Sequence, residues 1–183
     1  MSRQPTPESK IDGERYFRPE DEKEFRLAQL LLLLEVTKGG KVAPSIERLG
    51  VLDFFSANPF LVIQPIDPEY RDIVLAGFSV KPLTYASPGH RFVTRRSRLQ
   101  NDLSSLIAYG LVVPAAIEGH RVYQISGAGE NAAKQLSSIY VEAYRSSVEI
   151  IVNKVRKIPD SRLQDFCRRW LKADPAMLDL LNI

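Results

Sequence analysis

TRRSRLQNDLSSLIAYGLVVPAAIEGHRVYQISGAGENAAKQ, residues 94–135, changes hydrophobic period twice within a short span. Thr94 suits a helix N-cap, with Arg95 to Tyr109 as the helix body. At about 100° per residue, Leu99, Leu103, Leu106 and Ile107 fall on one face, and Ser97, Arg98, Asn101, Ser104 and Ser105 fall opposite. Gly110 is placed to stop that helix. Leu111–Ile117 and Arg121–Ile125 then read as two short strands joined through the Glu118-Gly119 turn region. Ser126 caps a further helix, expected from about Gly129 to Lys157 and ended by Pro159. Its expected buried stripe is Leu136, Ile139, Tyr140, Ala143, Val148, Ile151, Val152 and Val155.

Helix, hairpin and helix in that order form the second half of a winged helix-turn-helix. In such a fold the third helix enters the major groove, and the hairpin tip reaches phosphate or the minor groove. Arg95, Arg96 and Arg98 cluster at the start of that helix, with Arg91 just upstream and Arg121 on the hairpin. Planar guanidinium donors suit phosphates and guanine edges, and an outward Asn101 suits adenine. The same arginines also suit a solvated face, or pairing with acidic groups on this chain or a partner. The segment from Tyr123 through Ile125 and Ser126 to Gly129 resembles the aromatic-x-Leu-Thr-x-x-Gly signature that closes the wing in many prokaryotic winged-helix proteins. It speaks for fold rather than function.

Outward from this stretch, residues 1–19 form an arm with Pro5, Pro7, Gly13 and Pro19, and residues 20–157 form the winged-helix domain. Asp21 and Glu22 open a first helix in which Phe25, Leu27, Leu30, Leu31 and Leu34 recur at helical spacing. Leu32 and Leu33 widen its apolar surface, which predicts burial on two sides. A second helix spans Ser45 to Ala57 with Ile46, Leu49, Val51, Leu52, Phe54 and Phe55 as its apolar set. Residues 60–92 read as an insertion whose FLVIQP and DIVLAGFSV runs predict strands between Pro65, Pro68, Pro82 and Pro88. Residues 158–183 form a helical extension, with one helix capped near Asp160 and Ser161 and a last one from Pro175. The expected class is mainly α with a small β component.

Composition excludes more than it assigns. The 183 residues are 44% hydrophobic and carry a net charge of +3, which permits DNA contact without requiring it. One cysteine, Cys167, precludes an internal disulfide and a Cys-rich zinc site, and suits a core thiol. The polar first 24 residues predict no secretory signal, and the longest apolar run, Leu30–Leu34, is too short to span a bilayer. The expected location is the cytoplasm.

His90 and His120 lie apart in Gly-containing loops without a ligand set, so neither metal nor acid–base chemistry is expected. In Asp72–Lys81 the position where a metal-dependent nuclease needs a second carboxylate is Ser79. Gly39-Gly40-Lys41-Val42 lacks the hydroxyl and upstream glycine of a phosphate-cradling loop. The chain is read as a non-enzyme with no cofactor. A basic C-terminal group, Lys154, Arg156, Lys157, Arg162, Arg168, Arg169 and Lys172, surrounds Phe166 and Trp170. It suits nucleic acid, whereas Phe166, Cys167, Trp170 and Leu171 at helical spacing suit packing better.

The series RLAQLLLLLEVTKGG, SIERLGVLDFFSANP and RRSRLQNDLSSLIAYGLV resembles the middle component of bacterial three-component ABC-ATPase defence systems, with the Lamassu antiphage complex as the nearest likeness. The resemblance spans about residues 22–156. It implies a non-catalytic subunit that accompanies an SMC-like ATPase and a nuclease effector and helps to sense or hold double-stranded DNA. Leu31, Leu32, Phe54, Phe55 and Trp170 are the candidate partner-binding residues. The alternative is a free-standing homodimeric transcriptional regulator, dimerised through the helix after the wing.

Overall fold

A computed structural model of the chain describes residues 19–38, 44–80, 87–117 and 119–171. A short 3-10 turn, Pro19–Asp21, leads into α1 (Lys23–Thr37). All five leucines from Leu30 to Leu34 are buried, so α1 is enclosed all round rather than on two sides. Helices from both halves of the chain, together with the hairpin, pack around it. Five side chains removed from water at ~2 kcal/mol each make this helix a large apolar anchor of the fold.

Ser45 caps α2 (Ile46–Ala57), its Oγ accepting from the Arg48 N–H at 3.3 Å. Every residue from Leu49 to Ser56 is buried. Phe54, Phe55, Phe92 and Trp170 stack edge to face where α2 meets the later helices, with centroids 5.0–5.3 Å apart.

The predicted strands of the insertion are not formed within residues 60–80. A 3-10 turn (Pro59–Leu61) and one short helix, α3 (Tyr70–Leu75), occupy this stretch instead. Its apolar residues do not alternate toward one partner: Val62, Ile63 and Ile73 are buried, whereas Ile66, Leu75 and Val80 are exposed. Turn bonds win locally, with the Asp67 carboxylate accepting the Gln64 N–H at 2.7 Å and pairing with Lys154 at 2.9 Å. The rest of the expected insertion, residues 81–86, lies outside the described residues, as does the helix expected from Pro175.

The third long helix, α4 (Pro88–Ala108), begins seven residues before the predicted Arg95. Pro88 starts it instead of breaking the chain, because a first-turn residue has no helical use for its N–H. Gly110 ends it with φ +70°. The Gly110 N–H donates to the Ile107 carbonyl and the Leu111 N–H to that of Leu106, both at 2.9 Å, the paired bonds of a Schellman stop.

Strands β1 (Val112–Ile117) and β2 (His120–Ile125) pair antiparallel, with Val112 opposite Ile125 and Ile117 opposite His120. The Leu111 carbonyl accepts the Ser126 N–H at 3.0 Å, which sets the phase of the ladder. Pro114 then falls in a non-hydrogen-bonded pair, where a missing N–H costs no rung. On the other side of β2, Val122 forms an antiparallel bridge to Ser45, in the link between α1 and α2.

Ser126 caps α5 (Gly127–Gln135): its Oγ accepts from the Gly129 N–H at 3.0 Å and donates to the Gly110 carbonyl at 2.6 Å. Gly129 is fixed by packing, since a Cβ there would collide with the Leu111 carbonyl and meet Ile125 Cγ1 at 2.8 Å. The single long helix predicted after the hairpin is two. Ser138 caps α6 (Ile139–Val155), its Oγ accepting the Val141 N–H at 3.1 Å, after a break at Leu136. The break re-phases the stripe: Ile139 is exposed, Tyr140 is partly exposed with its hydroxyl turned inward onto Gln29, and Tyr144, Val148, Ile151 and Val155 enter the core. Finally α7 (Asp160–Leu171) buries Leu163, Cys167 and Leu171 at helical spacing.

Candidate nucleic-acid interface

Helix α4 presents two faces with different chemistry. Gly89, Phe92, Leu99, Leu103 and Leu106 are buried on the inner one, and Asp102 is buried among them. A carboxylate there requires a cation, and Arg26 of α1 supplies it, Nε to Oδ2 at 2.8 Å and Nη2 to Oδ1 at 3.1 Å. Neither residue stood out in the sequence reading, although Asp102, three after Leu99 and four before Leu106, marks a charge on an apolar stripe.

Arg95, expected on the DNA-facing surface, is turned inward. Its guanidinium is bidentate to Asp53 of α2 at 2.6 and 2.7 Å, and Nη2 also donates to Gln29 Oε1 at 2.6 Å. Burial opposes the charge on Arg95, but the adjoining Asp53 carboxylate outweighs it and pushes the guanidinium pKa up. Gln29 passes the network on, its Nε2 donating to the Tyr140 hydroxyl at 2.5 Å. The expected role of Arg95 at the outer surface gives way to one that joins α1, α2 and α4.

The other candidates lie outward or at the rim. Arg96 is half-buried over Gly50 of α2, and its Nη1 donates to the Glu47 carbonyl at 3.4 Å. Arg98 reaches Asp21 at 2.9 Å, and Arg91 reaches Glu20 at 3.1 Å. Asn101 is exposed between Ser97 and Ser104 on the outermost line of α4, as the helical wheel required. Arg121 is exposed near the hairpin tip, on the ribbon face whose inner positions, Tyr123 and Ile125, pack into the core. The resulting surface is a polar helix face edged with cations, with a further arginine on the ribbon.

Four of the five expected partner-binding residues are not on the surface, and Trp170 is half-buried. Leu31, Leu32, Phe54 and Phe55 are each no more than 4% exposed, and Trp170 packs edge-on against Phe55 at 5.0 Å. These apolar residues of α1 and α2 form the inside of this chain. The C-terminal basic group is also partly engaged: Lys154 pairs with Asp67, Arg168 with Asp165, and Arg169 lies 4.2 Å from the centre of the Phe166 ring. Arg156, Lys157 and Arg162 are exposed, and Lys172 is outside the described residues. Arg156, Lys157 and His120 border a cleft of about 1750 Å³ between the hairpin, α2 and α7. Cys167 borders it too; burial pushes its thiol up to about 12. His90 is exposed in the first turn of α4.

Among the described residues no group of three or more His, Cys, Asp or Glu could hold a metal ion, and no helix is long and apolar enough to cross a membrane. Residues 79–174, just over half of the chain, match the family described as ABC-three component (ABC-3C) system Middle Component 2. The match takes in α4, the hairpin and α5 to α7. No curated protein and no solved structure matches the chain.

Proposed function

Because the chain belongs to the ABC-3C Middle Component 2 family, we propose that it is a non-catalytic accessory subunit of an ABC-ATPase defence complex. In this reading it acts in the cytoplasm, binds an SMC-like ATPase and a nuclease effector of the Lamassu kind, and contributes contacts to double-stranded DNA. The family match carries the proposal.

We read α1, α2, α4 and the ribbon as a winged helix. The Ser45–Val122 bridge supports this, because it sets the link between the first two helices beside the hairpin as a third strand position. The outer line of α4 supports DNA contact, offering Arg98 and Asn101 with Arg121 on the wing. Arg95 is not part of that surface. These arginines serve phosphate contact and placement on the duplex more than base readout.

Co-purification tests the assembly: the tagged chain is expected to bring down an ABC ATPase encoded beside its gene. Recovery of a stable homodimer that binds its own promoter, with no ATPase, overturns the subunit reading in favour of a regulator. For DNA, Arg98→Glu with Arg121→Glu is expected to weaken duplex binding at least tenfold and to reduce the salt slope by about 2. Unchanged affinity and slope would assign this face to protein.

A further inference from the structure

The outer arginines of α4 are already held by acids of the same chain. Arg91 pairs with Glu20 and Arg98 with Asp21, and both acids sit in the 3-10 turn just before α1. The two arginines are seven residues apart, two helical turns, or roughly 10 Å along α4. One short turn thus sets two adjacent carboxylates against a row of cations where a polyanion's phosphates would lie.

The backbone of the turn is fixed from below. Arg26, whose Nε and Nη2 hold the buried Asp102, points Nη1 at the Asp21 carbonyl at 2.8 Å and at the Glu20 carbonyl at 3.4 Å. Arg26 and Asp102 are only 8% and 4% exposed, whereas Arg98 and Asp21 are 38% and 55% exposed. A desolvated pair is costly to break, and a solvated one exchanges readily and is screened by salt. The turn is therefore anchored through its carbonyls while its carboxylates stand in exchangeable contact. Glu22 and Glu24, both exposed, add negative charge beside it.

We propose that the Pro19–Asp21 turn is an internal phosphate mimic that shields the arginine face of α4, and that duplex DNA must displace Glu20 and Asp21 to bind there. The inference rests on the DNA-contact reading of that face. It gives the subunit a threshold: weak, scattered anions leave the turn in place, and a continuous phosphate row displaces it.

The experiment measures binding of a short blunt DNA duplex to three forms of the full chain: wild type, Glu20→Gln with Asp21→Asn, and Arg98→Glu with Arg121→Glu. Thermal melting of each form checks that it is folded. The amide form is expected to bind about tenfold more tightly than wild type at low salt, with the advantage shrinking as salt rises. The charge-reversed form is expected to bind more weakly than wild type.

If amide and wild-type forms bind equally while charge reversal still weakens binding, the shielding inference fails and the DNA-contact reading stands. Should no form bind, or should charge reversal change nothing, both fail.

Discussion

Inside α4, Arg95 with Asp53 and Arg26 with Asp102 are almost wholly removed from water. Outside it, Arg91 with Glu20 and Arg98 with Asp21 use the same charges at similar distances but remain solvated. The charges are the same on the two faces, but the inner pairs are bidentate as well as desolvated, so geometry and burial together decide the role. In the interior, breaking one partner strands a charge that has no water to return to, and the pair becomes a structural joint. At the surface, water and salt stand in for either partner, and the pair becomes available for exchange.

The largest break in this comparison comes from removing one inner partner. Arg95→Met leaves Asp53 buried without its cation, and is expected to cost about 3–5 kcal/mol in denaturant unfolding. Arg95→Met combined with Asp53→Leu removes both charges and is expected to recover most of that loss. Recovery of nothing would mean that the pair stabilises by more than cancelling its own desolvation.

A smaller effect comes with pH. Burial is the main cause that holds the Tyr140 hydroxyl, at the end of the Gln29–Arg95 network, up to about 12. An unfolded tyrosine ionises near 10, so between these values the unfolded state binds fewer protons than the native one. Stability is therefore expected to fall as pH rises from 10 toward 12, and Tyr140→Phe to make that fall shallower. An unchanged alkaline profile in Tyr140→Phe would count against this coupling.

The smallest effect belongs to the outer face. Asp21→Asn is expected to change stability by at most ~1 kcal/mol, with the difference vanishing in high salt. A loss as large as that of Arg95→Met would erase the distinction between the faces.

Much of the fold was legible because its signals are local. Leu99, Leu103 and Leu106 announce the buried stripe of α4, Gly110 its stop, and Ser126 with Gly129 the cap and close approach of α5. Where competing local signals balance, the reading failed. Ser138 divides what apolar periodicity alone joins into one helix, and Gln64 to Asp67 form a turn where hydrophobic runs suggested strands. The site was half legible: Arg98 and Asn101 lie on the outward face that the helical pattern assigns and Arg95 does not, whereas Arg121 shares the core-facing side of the ribbon and is exposed because it lies near the tip.

By itself, the sequence determined the helix–hairpin–helix order, the burial of the leucine helix on more than one side and the outward line of α4. Those follow from period, caps and turn residues within a few positions of one another. Which arginines work as joints and which remain at the surface was decided only by tertiary structure. Arg95 and Asp53 are 42 residues apart, and Arg26 and Asp102 are 76 apart. Cα spacing along the chain says nothing about such pairs until the helices pack. Packing sets the local dielectric, and that in turn separates a buried structural arginine from a solvated surface one.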